Sequence, residues 1–465
     1  MDDRELRLPL EIWSSVFDLI ETSSLSRISL ACRSFRWILY PRLFRSLRII
    51  CQFSDDIFVY LYNTSHRKGL ADAFARLEFF SSAAIAPCLR SCTISFQKWP
   101  DPVFEPVLNK LCDHLSRFTN LQRLAFENVM ITSQRAQLIS LTRPLEKLSF
   151  ANCSMETDIS LSQKITTDEL TLRYDRGKCS GDHSNAWLSL IHTTSLQELD
   201  ARSSALETLS EIATNKIPLP SMKVIHLNCE DDVISSDHLR VALPMCQSLS
   251  RLYLEPRKGG MLLSFPHITQ HLSFYEGPHY FLQFLQGEQN ELRRVKLFGD
   301  RYQGICDLID IQQDFQYFHI HAPMLESMHL RAFPTSELCR CITLLFPNLR
   351  SLAFWLPLQT QALCPMLALT HESFLPALMK MCLPCHLENL VILGMLFSNS
   401  IEGAQVIEHL TKKYQSLRHI YLYFPQGYWV TWSQSSDSSE GEGGTGPERG
   451  EMAVGPVDVE YDWFS

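Results

Sequence analysis

Along most of this chain one pattern of apolar positions recurs: a large apolar residue, two variable residues, then two apolar residues with one between them. It is clearest in LQRLAF at 121, LEKLSF at 145, LQELDA at 196, MKVIHL at 222 and LSRLYL at 249. It returns in LRRVKL at 292, LESMHL at 325, LRSLAF at 349, LENLVI at 387 and LRHIYL at 417. Weaker copies are LRSCTI at 89, TDELTL at 167 and TQHLSF at 269. A period of two puts both ends of the final triplet on one face of a short strand, and the leading residue adds another inward layer. Thirteen copies spaced by about 27 residues on average have the size of units that bury a core only by stacking on one another. Stretches of helical period lie between the copies. Val107, Leu108, Leu111 and Leu115 share a helix face, as do Leu206, Leu209 and Ile212, and SELCRCITLLF and GAQVIEHLTKKY repeat the theme. The expected fold class is α/β, a curved parallel sheet with outer helices.

The first fifty residues follow a different rule. LPLEIWSSVFDLI and SLSRISLACRSFRWILY have helical period, and a third short element, PRLFRSLRI, follows them. Pro9 suits the first helical position and Glu11 the first turn. The second helix is expected to start after a Ser23 or Ser24 cap and to stop before Pro41. Ile12, Val16, Leu19 and Ile20 make one apolar stripe and Trp13 and Phe17 another, with Leu25, Ile28, Cys32, Phe35, Ile38 and Leu39 on the second helix. So few residues cannot enclose that much apolar surface. The block must dock on the repeats, on another protein, or on both.

This pattern divides the chain into a helical block (6–50), a helical linker or cap (51–84), the repeats (85–425) and an acidic tail (433–465). The tail carries eight acids and one base after residue 435, and its Ser, Gly and Glu content is expected to leave it disordered. It supplies most of the net charge of −9, so the near-neutral body gives no argument for nucleic acid. Fifteen scattered cysteines and an N-terminus without an apolar signal core fit free thiols in the cytosol or nucleus. No run is long enough to span a membrane.

Catalytic motifs are missing. There is no phosphate-binding loop, dinucleotide fingerprint, nucleophile elbow or HExxH. CLPCH (382–386) matches a haem-attachment signature, yet Cys382 and Cys385 read more simply as buried thiols, with no second ligand pair for zinc. HIH (319–321), beside Asp314, reads as a pair of surface histidines on one strand face. No cofactor, metal or catalytic residue is expected.

The repeats resemble a leucine-rich-repeat array. Cys153 supplies the Asn-or-Cys position three residues past the triplet, and most other copies do not, which predicts an irregular array. The helical block resembles an F-box through Leu8, Pro9, Glu11, Ile12, Val16 and Phe17, then Leu25, Ile28, Ser29, Cys32, Arg33 and Phe35, then Pro41, Leu43, Phe44 and Leu47. Together they look like an irregular F-box/leucine-rich-repeat protein of the kind common in fungi. That resemblance implies a non-catalytic substrate receptor of an SCF-type ubiquitin ligase, bound to a Skp-type adaptor and through it to cullin–RING. The implied adaptor-binding residues are Leu8, Pro9, Glu11, Ile12, Val16 and Phe17, with Leu25, Ile28, Cys32, Phe35, Leu43 and Phe44. Ser26 stands where many F-boxes have a second leucine. Six arginines and no acid between residues 22 and 50 suit an acidic partner or a solvated face. The alternative is a repeat scaffold whose F-box-like segment is structural.

On each strand the residues flanking and splitting the apolar pair point away from the core, onto the concave face. From 251 to 355 these positions are rich in Arg, Lys, His and aromatic residues: Arg251, Tyr253, His271, Tyr275, Arg294, Lys296, Phe298, His329, Arg331 and Trp355. Arg and aromatic side chains anchor interfaces. The expected partner of this stripe is an acidic or phosphorylated protein segment.

Overall fold

A computed structural model describes residues 9–51, 62–96, 105–157, 159–174, 186–202, 205–229, 236–256, 272–285, 291–299, 308–355, 379–393, 400–424, 428–434 and 450–456. The chain divides into two units, Met1–Ile225 and His226–Ser465.

The first unit begins with helices α1 (Leu10–Asp18), α2 (Thr22–Ile28) and α3 (Arg33–Leu43). They enclose a small core of Phe17, Leu25 and Leu39, against which Trp13, Ile20, Ile28, Phe35, Ile38 and Leu43 pack. Local chemistry corrects three details expected from sequence. Pro9 is extended, with ψ 151°, and precedes the helix rather than opening it. The single second helix is two: Cys32 is extended and its sulfur accepts the N–H of Phe35, which starts α3 afresh. Finally, α3 runs through Pro41 into Leu43. A proline in the last turn forfeits one backbone bond near a terminus that already lacks partners.

The block also ends earlier than residue 50. Strand β1 (Ser46–Cys51) alternates outward and inward, burying Leu47, Ile49 and Cys51. Phe44, Leu47 and Ile49 are therefore a further repeat copy, which the reading of PRLFRSLRI as a helical element had hidden. Helix α4 (Tyr62–Phe80) follows within the expected 51–84 segment, then β2 (Ser91–Phe96), α5 (Glu105–His114), β3 (Arg123–Glu127), β4 (Met130–Ile131) and α6 (Ser133–Ser140). After these come β5 (Leu145–Ala151), β6 (Ser154–Met155), β7 (Thr167–Arg173), β8 (Glu198–Arg202), α7 (Ala205–Asn215) and β9 (Val224–Cys229). Strands β1, β2, β3, β5, β7 and β8 form a parallel ladder in that order.

The turns after β3 and β5 explain the irregular consensus. Asn128 and Asn152 adopt left-handed φ of 55° and 50°, a conformation Asn tolerates better than most residues. The Asn128 amide donates to the carbonyl of Phe96, and the backbone N–H of Asn152 donates to the carbonyl of Arg173 at 2.7 Å. The turn residue thus lies two positions past the triplet, one before Cys153, whose buried thiol donates to the carbonyl of Phe126 at 3.3 Å.

The second unit continues with α8 (Ser236–Ala242), β10 (Arg251–Pro256), β11 (Phe274–Pro278), β12 (Arg294–Phe298), α9 (Leu308–Phe318), β13 (Ser327–Leu330) and α10 (Ser336–Leu345). It ends with β14 (Ser351–Trp355), β15 (Asn389–Leu393), α11 (Ser400–Lys413), β16 (His419–Phe424), β17 (Tyr428–Gln434) and β18 (Gly450–Pro456). Strands β10 to β16 are parallel neighbours in sequence order. Their inward triads, such as Leu349, Leu352 and Phe354 or Leu417, Ile420 and Leu422, are fully buried.

Strands β17 and β18 turn antiparallel and close the ladder, Val430 lying opposite Val454. The disordered tail expected from 433 therefore gives way to strand at 433–434 and 450–456. Half of its eight acids fall between 437 and 448, flanked by apolar alternation in YWVTW and MAV. Residues 435–449 and 457–465 lie outside the described residues.

A buried acid in the first unit has a definite job. The Glu211 carboxylate on α7 accepts the backbone N–H groups of Leu188 and Ser189, at 3.2 and 2.9 Å, at the start of a 3-10 turn. Burial outweighs these two bonds and raises its pKa to about 7. Folding therefore takes up a proton between the ordinary value of 4.5 and about 7, and the stability contributed falls as pH rises through that window. Glu211→Gln is expected to raise the melting temperature at pH 8, where the buried charge costs on the order of 2–3 kcal/mol, and to change it little at pH 4.5. A variant no more stable than wild type at pH 8 contradicts this account.

Candidate functional site

Two surfaces stand out, and the first is on α1. Its apolar residues form two stripes of i, i+4, i+7 spacing, one residue apart around the helix. The stripe Trp13, Phe17 and Ile20 faces the small core, with Trp13 and Phe17 each against Phe35 at centroid distances of 4.8 and 5.4 Å. The stripe Ile12, Val16 and Leu19 is exposed, at 47%, 39% and 89%. Leu30 and Trp37 are also exposed, at 74% and 65%.

The twelve residues named for an adaptor therefore separate. Pro9, Glu11, Ile12, Val16 and Cys32 are exposed. Phe17 and Leu25 are buried, and Ile28, Phe35 and Leu43 are half-buried against them. Phe44 is half-buried against Phe79 and Phe80, on the side of the repeats. Leu8 lies outside the described residues. Sequence reasoning missed Leu30 and Trp37, which fall off the apolar stripe of their segment, Leu30 between α2 and α3 and Trp37 on the outer side of α3. Of the six arginines, Arg42 ties α3 to α1, pairing with Asp18 at 2.6 Å and donating to the Ser14 carbonyl at 2.6 Å.

The second surface is the open face of the sheet in the second unit. Register defines its rows. Arg251, Phe274 and Arg294 are level with one another, as are Tyr253, Glu276, Lys296, His329 and Ala353. Tyr253 stacks on His226, with centroids 3.8 Å apart, and meets Phe274 at a tilt on its other side, 5.0 Å away. Lys296 pairs with Glu276 at 2.8 Å. The Arg331 guanidinium lies over the Trp355 ring at 4.3 Å.

This corrects the predicted stripe at β11. The motif there is LSFYEG, with Leu272 leading and Tyr275 level with Leu252, so Tyr275 is core rather than surface. Its ring folds back over Gly277, where a Cβ would stand 2.1 Å from the hydroxyl oxygen, and the hydroxyl donates to the Pro278 carbonyl at 3.0 Å. The shift brings out Phe274 and the acid Glu276, both missed from sequence. His271 lies outside the described residues. Phe298, His329 and Arg331 are buried, whereas Arg251 and Arg294 are exposed and Tyr253, Lys296 and Trp355 partly so. The face that can touch a partner is an aromatic stack flanked by two arginines.

The cysteine and histidine readings also change. Cys382 and Cys385 are exposed, not buried, and the described cysteine side chains are free thiols. HIH forms a 3-10 turn instead of a strand, and Asp314 bonds His279 at 2.7 Å. Among the described residues no cluster of three metal-ligating side chains occurs, and no helix is long and apolar enough to cross a membrane.

No family model matches the chain, and no curated protein is detectably similar to it in sequence. Solved structures similar to it include the TLR13 chain of a TLR13–ssRNA13 complex, with 15% identity and a TM-score of 0.28, covering 75% of this chain and 38% of that one. Another is a Bacteroides fragilis protein with 10% identity and a TM-score of 0.24, covering 73% and 72% of the two chains. Neither likeness bears on function. The leucine-rich-repeat-like α/β architecture rests on the chain's own ladder and motif.

His329 offers a check on the site's electrostatics. Burial first, then Lys296 and Arg331, lower its pKa to about 3. It is neutral at physiological pH, and the stability it permits is lost as pH falls from its ordinary 6.5 toward 3. In histidine-labelled NMR spectra its ring is expected to keep neutral shifts down to about pH 5, well above that depressed value. Titration near the ordinary value contradicts the burial.

Proposed function

We propose that this chain is a non-catalytic substrate receptor: the helical block binds a Skp-type adaptor and so a cullin–RING ubiquitin ligase, and the open face of the second unit binds the protein to be modified. The observation that carries the first half is the outer stripe Ile12, Val16 and Leu19, left exposed beside the small inner core, in the segment that resembles an F-box. Exposed apolar side chains grouped on one helix mark interaction surfaces. The second half is supported by the stack of His226, Tyr253 and Phe274 between Arg251 and Arg294, residue types that anchor interfaces and bind carboxylate or phosphate. On this reading the chain supplies no catalytic residue, works in the cytosol or nucleus and needs neither cofactor nor metal.

A second reading has its own support. Strand β1 continues from the block into the repeat ladder, and Phe44 packs edge-to-face against Phe79 and Phe80, as a purely structural cap of a scaffold would require. Co-purification separates the two. Wild type is expected to hold a Skp-type adaptor, and Ile12→Asp with Val16→Asp to weaken it at least a hundredfold while leaving the melting temperature unchanged, because both side chains are exposed. Absence of adaptor binding by the wild-type chain rejects the receptor. For the substrate face, Arg251→Glu with Arg294→Glu is the informative pair, because both side chains are exposed on the open face. The pair is expected to abolish binding to acidic and phosphoserine peptide arrays. Unchanged binding rejects the face.

A further inference from the structure

The turn edge of the second unit, where strands β12 to β16 begin and the antiparallel β17 ends, carries charge of alternating sign. The residue after each leading leucine is Arg293, Glu326, Arg350, Glu388 and Arg418 in successive repeats. Each backbone N–H from Glu326 onward donates to the carbonyl of the residue before it in this series at 2.8 Å. The five are therefore stacked one strand step apart. A second row, just before each leucine, is Glu291, Met324, Asn348, His386 and Ser416. Between the rows, from Glu326 to Arg418, runs a groove of about 570 Å³ that ends at Gln434, and Arg293 stands one strand step beyond its lining.

The ladder is only loosely satisfied by itself. Arg293–Glu326 and Arg350–Glu388 approach to 3.8 Å, with side chains 56% and 43%, then 64% and 32% exposed. Pairs this long and this wet contribute little and exchange readily for an external partner. One end of the groove is apolar, lined by Pro323 and the exposed Met324, with exposed Ile320 four residues earlier in the chain.

Spacing selects the partner. Neighbouring strands are about 4.8 Å apart, so the five charges span about 19 Å. An α-helix presenting residues at i, i+4, i+7, i+11 and i+14 covers about 21 Å. An extended peptide presenting every second residue covers about 27 Å over the same number of steps. The helix stays within about 2 Å of the ladder and the extended chain drifts by about 8 Å. We propose that this groove docks an α-helical segment of a partner protein whose exposed stripe alternates acid and base. Its acids face Arg293, Arg350 and Arg418, and its bases face Glu326 and Glu388. The proposal is independent of the adaptor and substrate readings, which use other surfaces.

The probe is a synthetic 18-residue alanine–glutamine helix with glutamates at its second, ninth and sixteenth positions and lysines at its sixth and thirteenth. The sign pattern reads the same in both chain directions, so orientation need not be known. Binding to the full chain is followed by fluorescence anisotropy against a scrambled peptide of equal composition and a version broken by two prolines. The patterned helix is expected to bind at least tenfold more tightly than either control and to weaken with salt. Glu326→Arg with Arg350→Glu leaves net charge unchanged, breaks the alternation, and is expected to erase that preference. Reversing all five charges is expected to switch preference to the sign-inverted peptide, a gain that misfolding cannot imitate. Equal binding of patterned and scrambled peptides, no binding at millimolar concentration, or a folded reversed variant that does not switch overturns the proposal.

Discussion

Each strand of the parallel ladders is four to seven residues long and buries its inward row only when the next repeat lies against it in register. A strand so short has no stability alone. A triad such as Leu349, Leu352 and Phe354 gains roughly 5–9 kcal/mol in gross burial, all of it conditional on neighbours. The ends of such an array are its weak points, since an uncovered edge presents unpaired backbone and half a core. One end of the second unit is finished by the antiparallel strands β17 and β18. In the first unit the strand β1 meets helices on both sides in sequence, with Phe44 against Phe79 and Phe80.

Register also decides what the other rows can do. Because each repeat contributes one residue per row, the chemistry of a row is set by a handful of independent sequence positions. In the first unit the open face is largely self-neutralised: Lys147 pairs with Glu169, Arg173 lies 3.7 Å from Asp200, and Ser95 donates to Glu127 at 2.7 Å. The second unit puts a ring stack between arginines at the corresponding level. The same backbone thus supports one face whose charges answer one another and another that turns rings and guanidinium groups outward. Its turn-edge row belongs to different residues of the same repeats, so the two surfaces can change independently.

Much of this was legible in the sequence because the period-two triplet and its leading leucine are forced by the core. Twelve of the expected strands formed where the pattern put them, including those of the weak copies at 89 and 167. The failures have physical causes. At 269 the segment LSFYEG offers two apolar phases, and the sequence pattern favours Leu272 and Phe274. The fold chooses Leu272 and Tyr275 because Gly277 leaves room for the ring to fold over the backbone. At 44–51 a resemblance to helical residues masked an ordinary strand. Averaging charge over the tail concealed the seven residues 450–456 that pair with β17. On the candidate faces, residue type was readable and exposure was not. His329 and Arg331 occupy outward positions yet are buried, because long neighbours such as Lys296 and Trp355 cover them.

At the N-terminal block, the exposed apolar stripe comes from the geometry of one nine-residue helix and the turn after it. Neighbouring residues on a helix point about 100° apart, so two apolar stripes one residue apart cannot both face a single small core. Trp13, Phe17 and Ile20 take the inner position, where Phe17 is buried with Leu25 and Leu39 and the other two pack half-buried against them. Rotating α1 to hide Ile12, Val16 and Leu19 would turn Trp13 and Phe17 outward and exchange larger rings for smaller chains, a loss under any area-based reckoning. The outer stripe is therefore no failure of packing that the fold could repair.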